Sequence, residues 1–198
     1  MGFLRIGVLA SGGGSNLQSI IDRCSDGYIN GEVVLVISNN SGAKALLRAA
    51  EKGIKTFHIS SVTEGSEEKA DERISKELSE SKVDLVVLAG YMKKAGDKLL
   101  ENFKGRIINI HPALLPKFGG KGMHGMNVHK TVIESGETES GPTVHFVDSH
   151  YDHGSIIEQV KVPVYPDDTP EILQKRVLEK EHELLPGVIR KIAGKFYG

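Results

Sequence analysis

Residues 4–10 are almost continuously apolar and read as a buried strand. They run into Ser11-Gly-Gly-Gly-Ser-Asn-Leu-Gln18, after which Leu17, Ile20, Ile21 and Cys24 recur at helical spacing. The same alternation follows. Residues 33–38 predict a second strand and residues 43–52 a helix, with Leu46, Leu47 and Ala50 on its inward face and Gly53 as its stop. Residues 56–59 predict a short strand, and residues 66–80 a helix facing inward through Ala70, Ile74 and Leu78. Residues 83–89 are apolar enough for the centre of a parallel sheet.

A short helix over 97–103 leads to a strand over 106–110, and the Pro-, Gly- and Lys-rich stretch 111–125 reads as a functional loop or lid. A helix follows at 128–134. Segments 143–148 and 156–164 predict two later strands joined by a polar turn, and a last helix starts near Asp168 or Thr169 with Pro170 in its first turn. This is an α/β pattern, a doubly wound and mainly parallel sheet with mixed strands toward the C-terminus. No repeat or linker interrupts it, so residues 1–198 are expected to form one domain.

Composition narrows the partners. A hydrophobic content of 39% and a net charge of -1 offer no electrostatic reason for nucleic acid or membrane binding, which favours a small-molecule partner. The single cysteine, Cys24, excludes an internal disulfide and reads as core. With no apolar run near the ~20 residues of a membrane span and no signal-like start, a cytoplasmic location is expected.

Three constellations carry chemistry. Gly12, Gly13 and Gly14 lie between a strand and a helix start, where free N–H groups suit a phosphate and Ser15 and Asn16 add donors. Leu17 stands where a dinucleotide fingerprint has its third glycine, and no acid follows the second strand, so a single phosphate fits better than a dinucleotide. A tight turn without ligand is the alternative. Asn109 and His111 share one face of a strand end, where they supply an amide donor and a proton-transfer group or, alternatively, a hydrogen-bonded strand terminus. Glu181 interrupts the apolar stripe Leu173, Val177, Leu185, Val188 and Ile192 of the last helix, either as an edge acid reaching solvent or as a substrate ligand. A bend is expected near Pro186. Asp152 sits in a polar turn from which it reaches an imidazole only if that turn folds over the strand ends. The spacing of His145, His150 and His153 matches no metal motif, and no metal is expected.

Taken together, Ser11-Gly-Gly-Gly-Ser-Asn-Leu-Gln18, Leu88-Ala-Gly-Tyr-Met92, Ile108-Asn-Ile-His-Pro-Ala-Leu-Leu-Pro116, Thr143-Val-His-Phe-Val147 and Tyr151-Asp-His-Gly154 resemble the phosphoribosylglycinamide formyltransferase family of folate-dependent formyltransferases. The resemblance covers almost the whole chain. It implies transfer of a formyl group from 10-formyltetrahydrofolate, as cosubstrate, to the amine of glycinamide ribonucleotide in purine synthesis. It implies Asn109, His111 and Asp152 as the catalytic set, with Asp152 orienting His111 and favouring its charged form. Gly14, Ser15 and Asn16 would hold the ribotide phosphate, and Glu181 would meet the glycinamide end. Met92, Lys93, Lys94 and Ala95 would form the folate pocket with Asn109 and the loop before Asp152. Here the chain departs from the family, which often has an arginine and two bulky aliphatic residues after the methionine. His124 receives no role. The competing readings are a formyltetrahydrofolate hydrolase, a methionyl-tRNA formyltransferase, for which a second, tRNA-binding domain would be expected after residues like these, and a nucleotide-binding module without turnover.

Overall fold

The computed structural model describes residues 2–197. The first half alternates strand and helix: β1 (Leu4–Leu9), α1 (Ser15–Ser25), β2 (Gly31–Ser38), α2 (Lys44–Glu51) and β3 (Lys55–His58). Next come α3 (Ser61–Glu64), α4 (Glu67–Glu80), β4 (Leu85–Leu88), α5 (Asp97–Asn102) and β5 (Ile107–His111). The second half contains α6 (Met126–Glu134), β6 (Glu139–Ser140), β7 (Thr143–Phe146), β8 (Ile156–Gln159), β9 (Val162–Pro163) and α7 (Pro170–Tyr197).

The seven-stranded sheet runs in the order β3-β2-β1-β4-β5-β7-β8. β3 through β5 pair in parallel, whereas β7 and β8 join antiparallel beyond β5. The chain leaves β1 toward β2 and β3, then returns to place β4 on β1's other side. That reversal opens a crevice at the carboxyl ends of β1 and β4, the usual ligand position in such sheets. Two apolar clusters cover the sheet faces, one including α1 and α7, the other α4 and α5. A third joins α6 to α7 through Val128, Val132, Leu173 and Val177.

Local patterning predicted most elements but mislocated two features. The inward face of α2 is Ala45 and Ala49, with Leu46 half-buried, while Leu47 and Ala50 face solvent. The reason is a close approach: a Cβ on Gly14 would lie 2.8 Å from the Ala45 Cα, so α2 presents its smallest side chains to the first loop. Segment 156–164 is not one strand. β8 pairs with β7, and the chain then turns so that β9 pairs with β6 in a separate two-stranded sheet. The short helix α3 was not anticipated; Ser60 and Thr63 cap it reciprocally. α7 continues as helix through Pro186. Burial pushes the Cys24 thiol up to about 12, with Asp26 and Glu32 adding to the effect, so it stays protonated.

Candidate active site

A cavity of about 600 Å³ opens at the switch point. Ser15 and Asn16 of α1, His129 of α6, and Gln174, Leu178 and Glu181 of α7 form one wall. The opposite wall consists of Leu88, Tyr91, Met92, Lys94 and Ala95 after β4, with Val147, Asp148 and Tyr151. Asn109, His111 and Asp152 lie between the walls.

The turn after β7 folds back because Gly154 permits it. A Cβ there would lie 1.8 Å from the Phe146 carbonyl oxygen. This brings Asp152, at a left-handed φ of 56°, onto the end of β5. Its Oδ2 lies 3.6 Å from His111 Nδ1 and accepts the Gly120 N–H at 2.9 Å. Its Oδ1 lies 3.5 Å from both Asn109 Nδ2 and His145 Nε2. The lid 111–125 is therefore tied to the carboxylate by its own backbone.

Burial alone would raise the Asp152 carboxyl, but the bond from His145, the nearby His111 and the Gly120 N–H outweigh it and hold it below its ordinary value. Asp152 and the Phe118 carbonyl favour the charged form of His111, yet burial outweighs both and keeps the imidazole below its ordinary value. Because Nε2 sits 2.7 Å from the Phe118 carbonyl oxygen, it must donate there, which leaves Nδ1 of the neutral ring as an acceptor beside Asp152.

Two residues given no role from sequence support this centre. His145 is buried, and its Nδ1 donates to the Phe146 carbonyl at 2.7 Å. Its Nε2 lies 3.1 Å from the Asn109 amide nitrogen and 3.5 Å from Asp152 Oδ1, so the ring stands directly against both groups. Its signal in the sequence was a histidine at an inward position of an otherwise apolar strand. Ser11 accepts the Met92 N–H at 2.8 Å and donates to Asn39 Oδ1 at 2.5 Å, joining the loop after β1 to the segment after β4.

The structure separates some residues that the sequence grouped. Gly14, at φ 72°, shapes the turn but does not line the cavity, whereas Ser15 and Asn16 do. The Asn16 amide donates to Glu181 Oε2 at 2.5 Å, and its Oδ1 is buried without a partner among the described residues. One N–H of its side chain is thus engaged by Glu181, and the first peptide N–H groups of α1 offer further donors to an anion. Burial holds the Glu181 carboxyl above its ordinary value, partly offset by the Asn16 bond. Lys93 turns away from the cavity to Glu67 at 2.8 Å, while Lys94 and Ala95 line it. His124 lies on the exposed lid at the cavity edge.

A doubly wound sheet that gathers an amide, an imidazole and a carboxylate at its switch point defines a group-transfer site, and residues 4–189 match the formyl transferase family. The chain belongs to that family. Among its relatives, the chloroplastic phosphoribosylglycinamide formyltransferase of Arabidopsis thaliana is 45% identical over 95% of this chain. The phosphoribosylglycinamide formyltransferase of Haemophilus influenzae is 41% identical over 94% of this chain and 85% of its own length. This chain spans 65% of the Arabidopsis relative and 13% of the trifunctional purine biosynthetic protein adenosine-3 of Drosophila melanogaster. The solved structure of glycinamide ribonucleotide transformylase 1 from Symbiobacterium toebii matches with a TM-score of 0.92 at 41% identity, covering 98% of this chain and 89% of that one.

Proposed function

We propose that this protein transfers the formyl group of 10-formyltetrahydrofolate to the amine of glycinamide ribonucleotide, a step of purine biosynthesis, as one catalytic unit in a reducing cytoplasm. The observation that carries this reading is the meeting of Asn109, His111 and Asp152 between two walls of one cavity, where two reactants can be held face to face. The α7 wall suits the ribotide: the helix start at Ser15 offers N–H groups to a phosphate, and Glu181 offers a carboxylate to the glycinamide end. The wall formed by Met92, Lys94 and Ala95 is mostly apolar with a basic edge, which suits an aromatic pterin and an acidic tail.

Attack of the amine on the formyl carbon places negative charge on the formyl oxygen and positive charge on nitrogen. The Asn109 amide, beside His145, donates to that oxygen. His111 Nδ1 accepts the proton lost by the amine, Asp152 stabilises the imidazolium that results, and the imidazolium returns the proton to the folate nitrogen as its bond to the formyl carbon breaks. The formyl carbon remains bound to one reactant or the other throughout, so no covalent enzyme intermediate is required.

Purified protein supplied with both substrates should release tetrahydrofolate and formylated ribotide in equal amounts. Free formate without formylated amine would instead support a hydrolase, and ribotide binding without turnover a non-catalytic module. A narrower prediction concerns Glu181→Gln. The amide can still accept from Asn16, so the fold should hold, while the KM for the ribotide rises about tenfold or more through loss of a charged hydrogen bond. Titration of each ligand checks this. Weakened folate binding, or a lower melting temperature with unchanged ribotide affinity, contradicts it.

A further inference from the structure

His129 is a second imidazole in the cavity wall, and neither the family resemblance nor the reaction just described uses it. It stands in the first turns of α6, is 2% exposed, and its Nδ1 is sealed from solvent without a hydrogen-bond partner among the described residues. The ring nevertheless borders the cavity. A core position would be filled more simply by an aliphatic side chain, since an unpaired buried polar atom is costly. The neighbours of His129 make that plain: Val128 and Val132 of the same helix pack on Leu173 and Val177 of α7.

The sealed atom also sets the tautomer. An unpaired buried N–H is rarer than an unpaired acceptor, so Nδ1 keeps its lone pair and Nε2, the nitrogen left to the cavity, carries the proton. Burial, assisted by His111, pushes this imidazole down to about 4, so the ring stays neutral at physiological pH. It therefore presents one uncharged donor, suited to an oxygen acceptor rather than to a site that must neutralise an anion. It lines the same cavity as Gln174, Leu178 and Glu181 of α7, on which α6 packs. The proposed phosphate position lies at the start of α1 and the transferred group at His111, which leaves the sugar between them.

We infer that His129 is a substrate-binding residue that donates a hydrogen bond from Nε2 to a hydroxyl oxygen of the ribotide sugar and so helps select the amine substrate. The inference rests on the ribotide reading above. His129→Leu should raise the ribotide KM about tenfold while changing kcat and the folate KM less than twofold, without lowering the melting temperature. His129→Gln, which restores a donor, should recover part of that loss.

The companion experiment uses the 2′-deoxy and 3′-deoxy forms of the ribotide. One of them should show a similar tenfold rise in KM with the unmodified protein, and no further rise with His129→Leu. Equal KM values for both deoxy forms and the parent in the unmodified protein overturn the inference, whatever the variants do. An unchanged ribotide KM in His129→Leu, or equal deoxy losses in both proteins, overturns it as well. If the unmodified protein formylates no ribotide at all, the formyltransferase reading itself has failed.

Discussion

Asp152→Asn is expected to lower the maximal rate by roughly a hundredfold or more while leaving the fold intact, on the scale of lost acid–base assistance. The asparagine can still accept the Gly120 N–H that Oδ2 now takes at 2.9 Å, so the lid keeps its anchor. What disappears is the charge facing His111 Nδ1 at 3.6 Å. The pH profile gives the sign. His111 is already held below its ordinary value by burial, and it works here as a neutral base, so activity falls as pH drops through its pKa. Asp152 acts to raise that pKa; removing its charge lowers it further, and the acid limb should move to lower pH. His111→Ala should lose a comparable factor, and the double variant much less than the product of the two, because the pair acts as one unit. The measurement is turnover against pH for each variant at saturating substrates. An acid limb that moves upward, or losses that multiply fully, would remove Asp152 from this role.

Gly154→Ala should be the most damaging of the single-methyl changes to the architecture of the site. The added carbon would fall 1.8 Å from the Phe146 carbonyl oxygen and 2.7 Å from its carbonyl carbon, so backbone, not a flexible side chain, must yield. That backbone cannot move freely, because Phe146 is paired with Ile108 across the β5–β7 ladder and its N–H bonds the Ser155 carbonyl at 2.9 Å. A stability loss of about 3 kcal/mol or more is expected, the scale of the larger single-site effects. At roughly 2–4 °C per kcal/mol for a chain of this size, the melting temperature should fall by about 6–12 °C. Activity should fall further than stability explains, about a hundredfold below the melting transition, because the displaced turn carries Asp152 away from β5. Gly194→Ala is the control: its Cβ meets nothing within 4 Å inside α7, and it should stabilise by about 0.5–1 kcal/mol. An unchanged melting curve for Gly154→Ala contradicts the steric argument.

The buried environments of the titratable groups add a factor that residue types alone do not carry. A carboxylate near a histidine suggests a charged imidazole, and Asp152 does favour one. Yet His111 is 3% exposed, and its desolvation exceeds the attraction of a carboxylate 3.6 Å away. Glu181 shows the same balance. Its partner proved to be Asn16 across 165 residues, and even that bond does not fully offset burial.

The sequence by itself determined what depends on near neighbours. The apolar runs at β1, β2 and β4, the 3.6-residue stripes of α4 and α7, and the glycine turn before α1 were legible because strand and helix periods arise within a few residues. Asn109 and His111 were legible as a pair for the same reason, and the family motifs added Asp152. Only the tertiary structure decided which atoms meet. It turned Lys93 to Glu67 while Lys94 faced the cavity, engaged one Asn16 N–H with Glu181, and set His145 behind Asn109. It also turned the alanine face of α2 inward to meet Gly14 and sent β9 to a separate sheet. Each outcome depends on how closely two distant segments can approach and on which polar groups lose water when they do. Neither quantity is carried by the spacing of residues along the chain.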